Sequence, residues 1–210
     1  MKKPLAGIIN ISTNNILSIK RALEFIGFNT VLINEHVPIE KFDLIVLPGV
    51  GAFNEAMNTL NRKNLLKTID QALNKNKKFL GICLGMQLLF QESNEFIKTK
   101  GIGFFNGNVE NFKSFPIYKK TFIGWNKVNF SKKFFKNAEQ YYLLQNKAYY
   151  FVHSFFVNCT NKNIEFGNSV NGRLTYASVV KKDNVTAFQF HPEKSGKHGL
   201  NLLKTIANNI

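Results

Sequence analysis

The stretch Phe79-Leu80-Gly81-Ile82-Cys83-Leu84-Gly85-Met86-Gln87-Leu88-Leu89-Phe90 decides how this chain is read. An apolar run enters the cysteine and a helix-period run leaves it. That is the layout of a nucleophile elbow, a tight strand-to-helix turn that lifts one side chain above a sheet edge. Gly81 and Gly85 suit such a turn because a Cβ at either place would collide with the sharply bent backbone. The sulfur of Cys83 would stand over a helix N-terminus, whose free amides favour an anionic nucleophile. A buried structural cysteine is the commoner fate of a thiol, but the two glycines and the switch from strand to helix argue for chemistry here.

Working outward, the first half of the chain alternates apolar runs with helical periodicity. Ala6–Ile9, Thr30–Ile33 and Leu44–Leu47 read as strands. Ile16, Ile19, Leu23 and Ile26 mark a helix with Asn14 or Asn15 as its cap, and a second helix covers about Leu65–Leu73. Such alternation implies a parallel sheet covered on both faces. From about Gly103 the pattern turns strand-like: 104–112, 122–130, 148–157, 174–180 and 185–190, with Asn- and Gly-containing turns between. After Ser195 it returns to helix, with Leu200, Leu203, Ile206 and Ile210 on one stripe. The expected fold is therefore α/β: one domain over residues 1–210, an open mostly parallel sheet with helices on both faces, and an added, partly antiparallel region continuing that sheet.

Composition agrees with a globular protein: 44% hydrophobic and 20% charged residues in 210. No stretch approaches the roughly 20 apolar residues of a membrane span, and Met1–Asn10 reads as a first strand rather than a signal segment. Two cysteines give neither a disulfide framework nor metal-ligand spacing, so a reducing cytoplasm, no metal and no cofactor are expected. The net charge of +15 invites a nucleic-acid partner. Against it, Arg21, Arg62 and Arg173 are the only arginines, and the remaining positive charge is lysine spread along the chain. No nucleic-acid or membrane partner is expected.

Three segments follow strands and fall where ligands bind in open sheets, beyond the strand carboxyl ends: Pro48-Gly49-Val50-Gly51, Cys83, and His191-Pro192-Glu193. His191 is the candidate general base, later the acid for a leaving group. Pro192 pushes it into an extended conformation, in which residues i and i+2 share a face, so Glu193 lies beside the ring and holds its tautomer. The amide of Leu84 is one candidate oxyanion donor, and the Gly49-Val50-Gly51 turn offers a second, at the Val50 peptide, where glycine lets the backbone aim an N–H inward. Gln87, one turn after Cys83, would project near the sulfur and hydrogen-bond a polar substrate. His153, within Tyr149-Tyr150-Phe151-Val152-His153-Ser154, is the rival base, although its aromatic neighbours equally suit a packed histidine. His36 and His198 have no supporting context.

These residues resemble the class I, triad-type glutamine amidotransferases, and among them the branch that serves imidazole glycerol phosphate synthase. The matching stretches are Leu47–Phe53, Leu80–Gln87, Gly124-Trp125-Asn126, Tyr150–Ser154 and Gln189–Ser195. The resemblance implies that Cys83 attacks the carboxamide of glutamine, with His191 and Glu193 completing a triad. It implies that Gly49, Gly51, Gln87, Ser154 and Phe155 bind glutamine, and that ammonia passes to a (β/α)₈-barrel synthase subunit in a heterodimer. Lys194, Trp125 and Asn126 would then face that partner. Two departures bear on the partner. Asn10–Asn15 lacks the glycines usual before the asparagine, and Thr121-Phe122 replaces Pro-His. They keep open a paralogue that feeds a related barrel amidating a surface sugar. A partner-free γ-glutamyl hydrolase and a basic nucleic-acid module are more distant alternatives.

Overall fold

The computed structural model describes residues 3–11, 15–112 and 120–208. Its elements are, in chain order, β1 (Leu5–Ile9), α1 (Ile16–Phe25), β2 (Asn29–Ile33), β3 (Leu44–Leu47), α2 (Phe53–Arg62), α3 (Leu65–Asn74), β4 (Phe79–Ile82), α4 (Leu84–Leu88), β5 (Glu92–Ser93) and β6 (Thr99–Lys100). Then come β7 (Gly107–Asn111), β8 (Phe122–Lys127), β9 (Asn129–Phe130), α5 (Ala138–Leu144), β10 (Ala148–His153), β11 (Phe155–Cys159), β12 (Glu165–Asn171), β13 (Leu174–Lys182), β14 (Val185–Phe188) and α6 (Gly196–Asn208).

Among the described residues the main sheet has the order β2-β1-β3-β4-β14-β13-β12-β9. The first five strands are mutually parallel and the last three pairings antiparallel. The apolar runs explain the parallel half: β3 and β4 are buried at every position, as strands covered on both faces must be. Side-chain alternation splits them between two cores. Ile9, Ile45 and Leu47 pack with α2 and α3 through Leu60, Leu65 and Ile69. Ile8, Leu44 and Val46 pack with α1 and α6 through Ile19, Leu23, Leu203 and Ile206. Ile210 of the expected stripe, and Asn14 of the expected cap, lie outside the described residues.

The added region only partly continues the sheet. β13, β12 and β9 do so, but β8 and β10 form a separate antiparallel pair, and β11, β7, β5 and β6 a further small sheet. The single run expected over 148–157 breaks at Ser154, and its halves pair with different strands, β8 and β7. The helix leaving the elbow is also shorter than its sequence pattern. It ends at Leu88 because the next segment takes the carbonyls of its last turn: Ile102 N donates to Leu88 O, Phe105 N to Leu89 O and Gly103 N to Phe90 O.

The order places β1 between β2 and β3, so the chain leaves it in opposite directions on its two sides. The carboxyl ends of β1, β3, β4 and β14 then form one rim, the usual ligand edge of such sheets. Asn15, the Gly49–Gly51 turn, Cys83 and His191 all follow strands that end there.

Candidate active site

Cys83 sits between β4 and α4 with φ of 54° and ψ of −110°, a conformation L residues rarely adopt. Its amide is fixed onto Phe188 O of β14 at 2.7 Å, and its carbonyl accepts from Met86 N and Gln87 N. The Leu84 amide, ahead of those two donors, is left outside the helix ladder, as the first amides of any helix are. The flanking glycines are needed for approach to neighbours rather than for the bend itself. A Cβ on Gly85 would overlap the Leu47 carbonyl of β3, and one on Gly81 would crowd Ala187 Cβ at 3.0 Å and Gly85 O at 3.1 Å. Because α4 has only five residues, its dipole gives the sulfur less than a long helix would. The nearer groups around the sulfur are specific: Gln189 Nε2 points at Sγ from 3.8 Å, and Val152 O is also 3.8 Å away.

His191 is fully buried, its amide bonded to Tyr150 O of β10 at 2.8 Å. Its Nδ1 faces Glu193 Oε1 at 2.8 Å, while Nε2 makes no hydrogen bond. Residue 191 is extended, as expected before proline, but Pro192–Lys194 closes into a 3₁₀ turn, and that turn brings Glu193 back onto the ring. Burial alone would push the imidazole down. The Cys83 sulfur and the Glu193 carboxylate outweigh it and raise His191 from 6.5 to about 10. A protonated His191 donates through Nδ1 to the carboxylate, and Nε2 is its remaining donor.

His153 does the opposite. It is enclosed by Phe112, Phe122, Phe151 and Tyr176. Its Nδ1 faces Phe155 O at 2.8 Å and its Nε2 faces the Tyr176 hydroxyl at 3.4 Å. Burial lowers it to about 4, only partly offset by the Phe155 carbonyl, with the charge of His191 pushing the same way as burial. This is the packed histidine, not a rival base.

A cavity of about 230 Å³ opens over the sulfur, lined by Cys83, Leu84, Val50, Gly51, Gln87 and the segment Val152–Phe155, with Glu95 and Thr121 at its side. It brings together most of the expected substrate residues. Gly49 is not among the lining residues; it packs beneath, where a Cβ would meet Leu84 Cβ at 3.0 Å and Ile11 Cδ1 at 2.9 Å. The Gln87 amide is already spent, donating to Phe155 O at 2.9 Å and Gln189 Oε1 at 3.1 Å, so it holds the wall and orients the Gln189 amide toward the sulfur. Ser154 Oγ shares a 2.8 Å hydrogen bond with Thr121 Oγ1, which places one of the two departures from the family pattern at the cavity.

Three residues at the site went unassigned in the sequence. Gln189 is one. Glu95 is another: it borders both this cavity and a second, of about 550 Å³, and accepts a 2.8 Å hydrogen bond from Phe53 N. Burial raises its carboxyl, against that amide. The third is Asn15. It occupies the N-cap position of α1, but its side chain does not cap; Nδ2 instead donates to Glu193 Oε1 at 2.6 Å. Gln189 stands in the matching stretch Gln189–Ser195 without an assigned role, Glu95 carries no motif, and Asn15, in a strand-ending loop, gave the signal only for a cap.

Of the residues expected to face a partner, Lys194 is exposed on the 3₁₀ turn and Trp125 is 57% exposed on β8, its ring edge-on to Tyr150. Asn126, next on the strand, turns the other way and donates to Val170 O at 2.8 Å. Among the described residues no cluster of side chains could hold a metal ion, both cysteines are free, and no helix is long and apolar enough to cross a membrane.

The family model of the class-I glutamine amidotransferases matches residues 8–209. This chain belongs to that family. It is 38% identical to the imidazole glycerol phosphate synthase subunit HisH of Caldanaerobacter subterraneus subsp. tengcongensis, over 98% of each chain. It is 41% identical to the subunit of the same name from Methanocaldococcus jannaschii, over 96% of this chain and 98% of that one. Among solved structures, PurLQS from Thermotoga maritima superposes with a TM-score of 0.75 at 19% identity, covering 99% of both chains, which shows the common fold. The fold expected from the strand-helix alternation is thus the fold of a class I glutamine amidotransferase, and the chain is an enzyme of that class.

Proposed function

We propose that this glutamine amidotransferase is the glutaminase subunit of an imidazole glycerol phosphate synthase, hydrolysing L-glutamine and passing ammonia to a (β/α)₈-barrel subunit for histidine biosynthesis in the cytoplasm. The observation that carries it is the Glu193 carboxylate on His191 Nδ1 at 2.8 Å beside the strained Cys83 elbow, whose sulfur, with that carboxylate, raises the ring. In this reading Sγ attacks the side-chain carbonyl carbon of glutamine, and the carbonyl oxygen takes the charge. The Leu84 amide and the Val50 amide, between Gly49 and Gly51, answer that charge. Protonated His191 gives its Nε2 proton to the departing nitrogen, ammonia leaves, and a thioester remains. Water, relieved of a proton by the now neutral ring, then releases glutamate.

Glutamine would lie in the cavity between Gly51, Gln87, Ser154 and Phe155, with the carboxylate of Glu95 available to its ammonium group. Exposed Trp125 and Lys194 lie beside Tyr150 and the 3₁₀ turn, on the outer side of the triad, and suit a docking partner there. The names carried by the relatives support the histidine-pathway partner.

The test is glutamine hydrolysis by the purified chain with and without the barrel subunit and its nucleotide ligand. Strong stimulation is expected. No stimulation refutes the assignment, and stimulation by a sugar-amidating barrel instead would move the chain to that paralogous role.

A further inference from the structure

We infer that Asn15 is a positioning residue of the active site, a tether from the start of α1 that fixes the Glu193 carboxylate against His191. This rests on the glutaminase reading above. The geometry is specific. Asn15 is 4% exposed, and its Nδ2 lies 2.6 Å from Glu193 Oε1, the same oxygen that faces His191 Nδ1 at 2.8 Å. Nδ2 is 3.4 Å from Nδ1 itself, too long and too crowded by the ring's own proton to be the primary bond. The amide orientation follows from the acceptor: reversed, Asn15 Oδ1 would set one oxygen against another, the Oε1 that faces the His191 ring. Oε1 thus receives two donors, while Oε2, buried and unbonded, offers no other anchor.

The residue forgoes its local role to make this contact. At the N-cap of α1 an asparagine ordinarily accepts from a first-turn amide, and that bond is worth about 1 kcal/mol. Here there is none. A side chain that leaves its own helix uncapped and reaches across 178 positions of sequence to a buried carboxylate serves the carboxylate. Without it, Glu193 keeps one bond, to a ring it is meant to steer, and both can rotate together. A hydrogen bond to a charged acceptor is stronger than a neutral one and correspondingly effective at fixing geometry. Asn15 is not among the residues lining the cavity over Cys83, so it acts through Glu193 and not on substrate.

The test is a comparison of Asn15→Ala and Asn15→Asp with the unaltered chain, each assayed for glutamine hydrolysis with the barrel subunit present, between pH 5.5 and 8. Asn15→Ala is expected to lower kcat about 10- to 100-fold with KM within threefold, a loss at the scale of a misplaced catalytic group. Asn15→Asp gives the more discriminating result. Protonated, the new carboxyl donates to Oε1 as the amide does; ionised, it repels it. Its kcat relative to the unaltered chain should therefore rise at least fivefold as pH falls from 8 to 5.5, while the Asn15→Ala ratio stays flat. The titratable and charged groups around this point are Glu193, His191 and, beyond the ring, Cys83 and His153, with exposed Lys194 on the same turn and His198 on the helix packed behind it. All are common to the three proteins, so the ratio isolates residue 15. A kcat within twofold of the unaltered chain in Asn15→Ala, a change confined to KM, or a pH-independent Asn15→Asp ratio would each overturn the inference. Labelling by a glutamine-analogue alkylator separates this from the reading beneath it. Cys83 labelled in all three proteins leaves the glutaminase assignment standing whatever Asn15 does, and Cys83 unlabelled in the unaltered chain removes that assignment.

Discussion

Gly85→Ala puts the elbow's packing to the test, because one methyl group there must move a backbone. The added Cβ would stand 2.7 Å from the carbonyl carbon of Leu47, with the carbonyl oxygen closer still, and 3.3 Å from Leu47 Cγ. Ordinary carbon–carbon contact lies near 3.5–4.0 Å. Relief therefore needs a displacement of about 1 Å, and neither party yields cheaply: Leu47 belongs to β3, held between β1 and β4, and Gly85 to the first turn of α4. Overpacking a core usually costs about 1–3 kcal/mol, and an obstacle made of backbone belongs at the upper end. At about 3 kcal/mol the melting temperature should fall by about 6–12 °C in a chain of this size.

The same displacement carries Leu84 N and Cys83 away from His191 and the cavity wall, and a misplacement of about 1 Å costs on the order of 100-fold in turnover. Scanning calorimetry reads the first effect, and glutamine hydrolysis with the barrel subunit, at a temperature where the variant is folded, reads the second. A melting point within 2 °C of the unaltered chain would refute the steric argument. A clear drop in melting point with kcat within twofold would refute its extension, that the seat of α4 on β3 sets the geometry of the nucleophile.

Two further outcomes follow from backbone strain and from burial. At Cys83, with φ of 54°, glycine is free of a strain worth about 1–3 kcal/mol that alanine retains, so Cys83→Gly should be more stable than Cys83→Ala by about 1 kcal/mol, the reverse of the usual order, with both inactive; denaturant titration of the pair decides it, and alanine as the more stable would contradict the strain. His153, whose native pKa burial lowers to about 4, is protonated first in the unfolded chain, so its contribution is complete above pH 6.5 and is lost as pH falls toward 4. Between pH 7 and 4.5 this ring should account for roughly 2–3 kcal/mol of the stability lost, read as a narrowing gap between the unaltered chain and His153→Phe in urea titrations; a constant gap would mean that the ring is not held neutral.

The parts of the fold legible in the sequence are those whose pattern is local. The all-apolar runs of β3 and β4 announce strands covered on both faces, and Cys83 between its glycines announces the turn that follows. The helix α2 carried the same kind of signal, in Phe53, Ala56, Met57 and Leu60, yet lies beside a glycine turn that dominates the segment. β12, Glu165–Asn171, has no apolar alternation strong enough to stand out, because its neighbours β13 and β9 supply the packing. The split at Ser154 was out of reach for a different reason. One apolar run feeds two sheets, and which partner each half chooses is settled by strands dozens of residues away. The site divides in the same way. Cys83, His191 and Glu193 were visible through spacing and turn chemistry, whereas Asn15, Glu95 and Gln189 act through contacts that only the folded chain creates.

The two buried histidines show how the site can hold one proton and exclude another. Burial presses both rings toward neutrality, and both stand within the same group of strands. What separates them is the groups they face. His153 meets a carbonyl, a hydroxyl and aromatic faces, none of which repays the cost of charge. His191 has the Cys83 sulfur on one side and, on the other, a carboxylate held in place by Asn15. Neighbouring titratable groups pushed apart in this way are the mark of divided acid–base roles. In the proposed reaction a departing amine needs a proton at neutral pH, and of these two rings only His191 carries one. Removing the carboxylate should therefore affect more than the orientation of the ring: it takes away one of the two groups that raise His191, which ties the chemistry at Cys83 to a contact made from the start of α1.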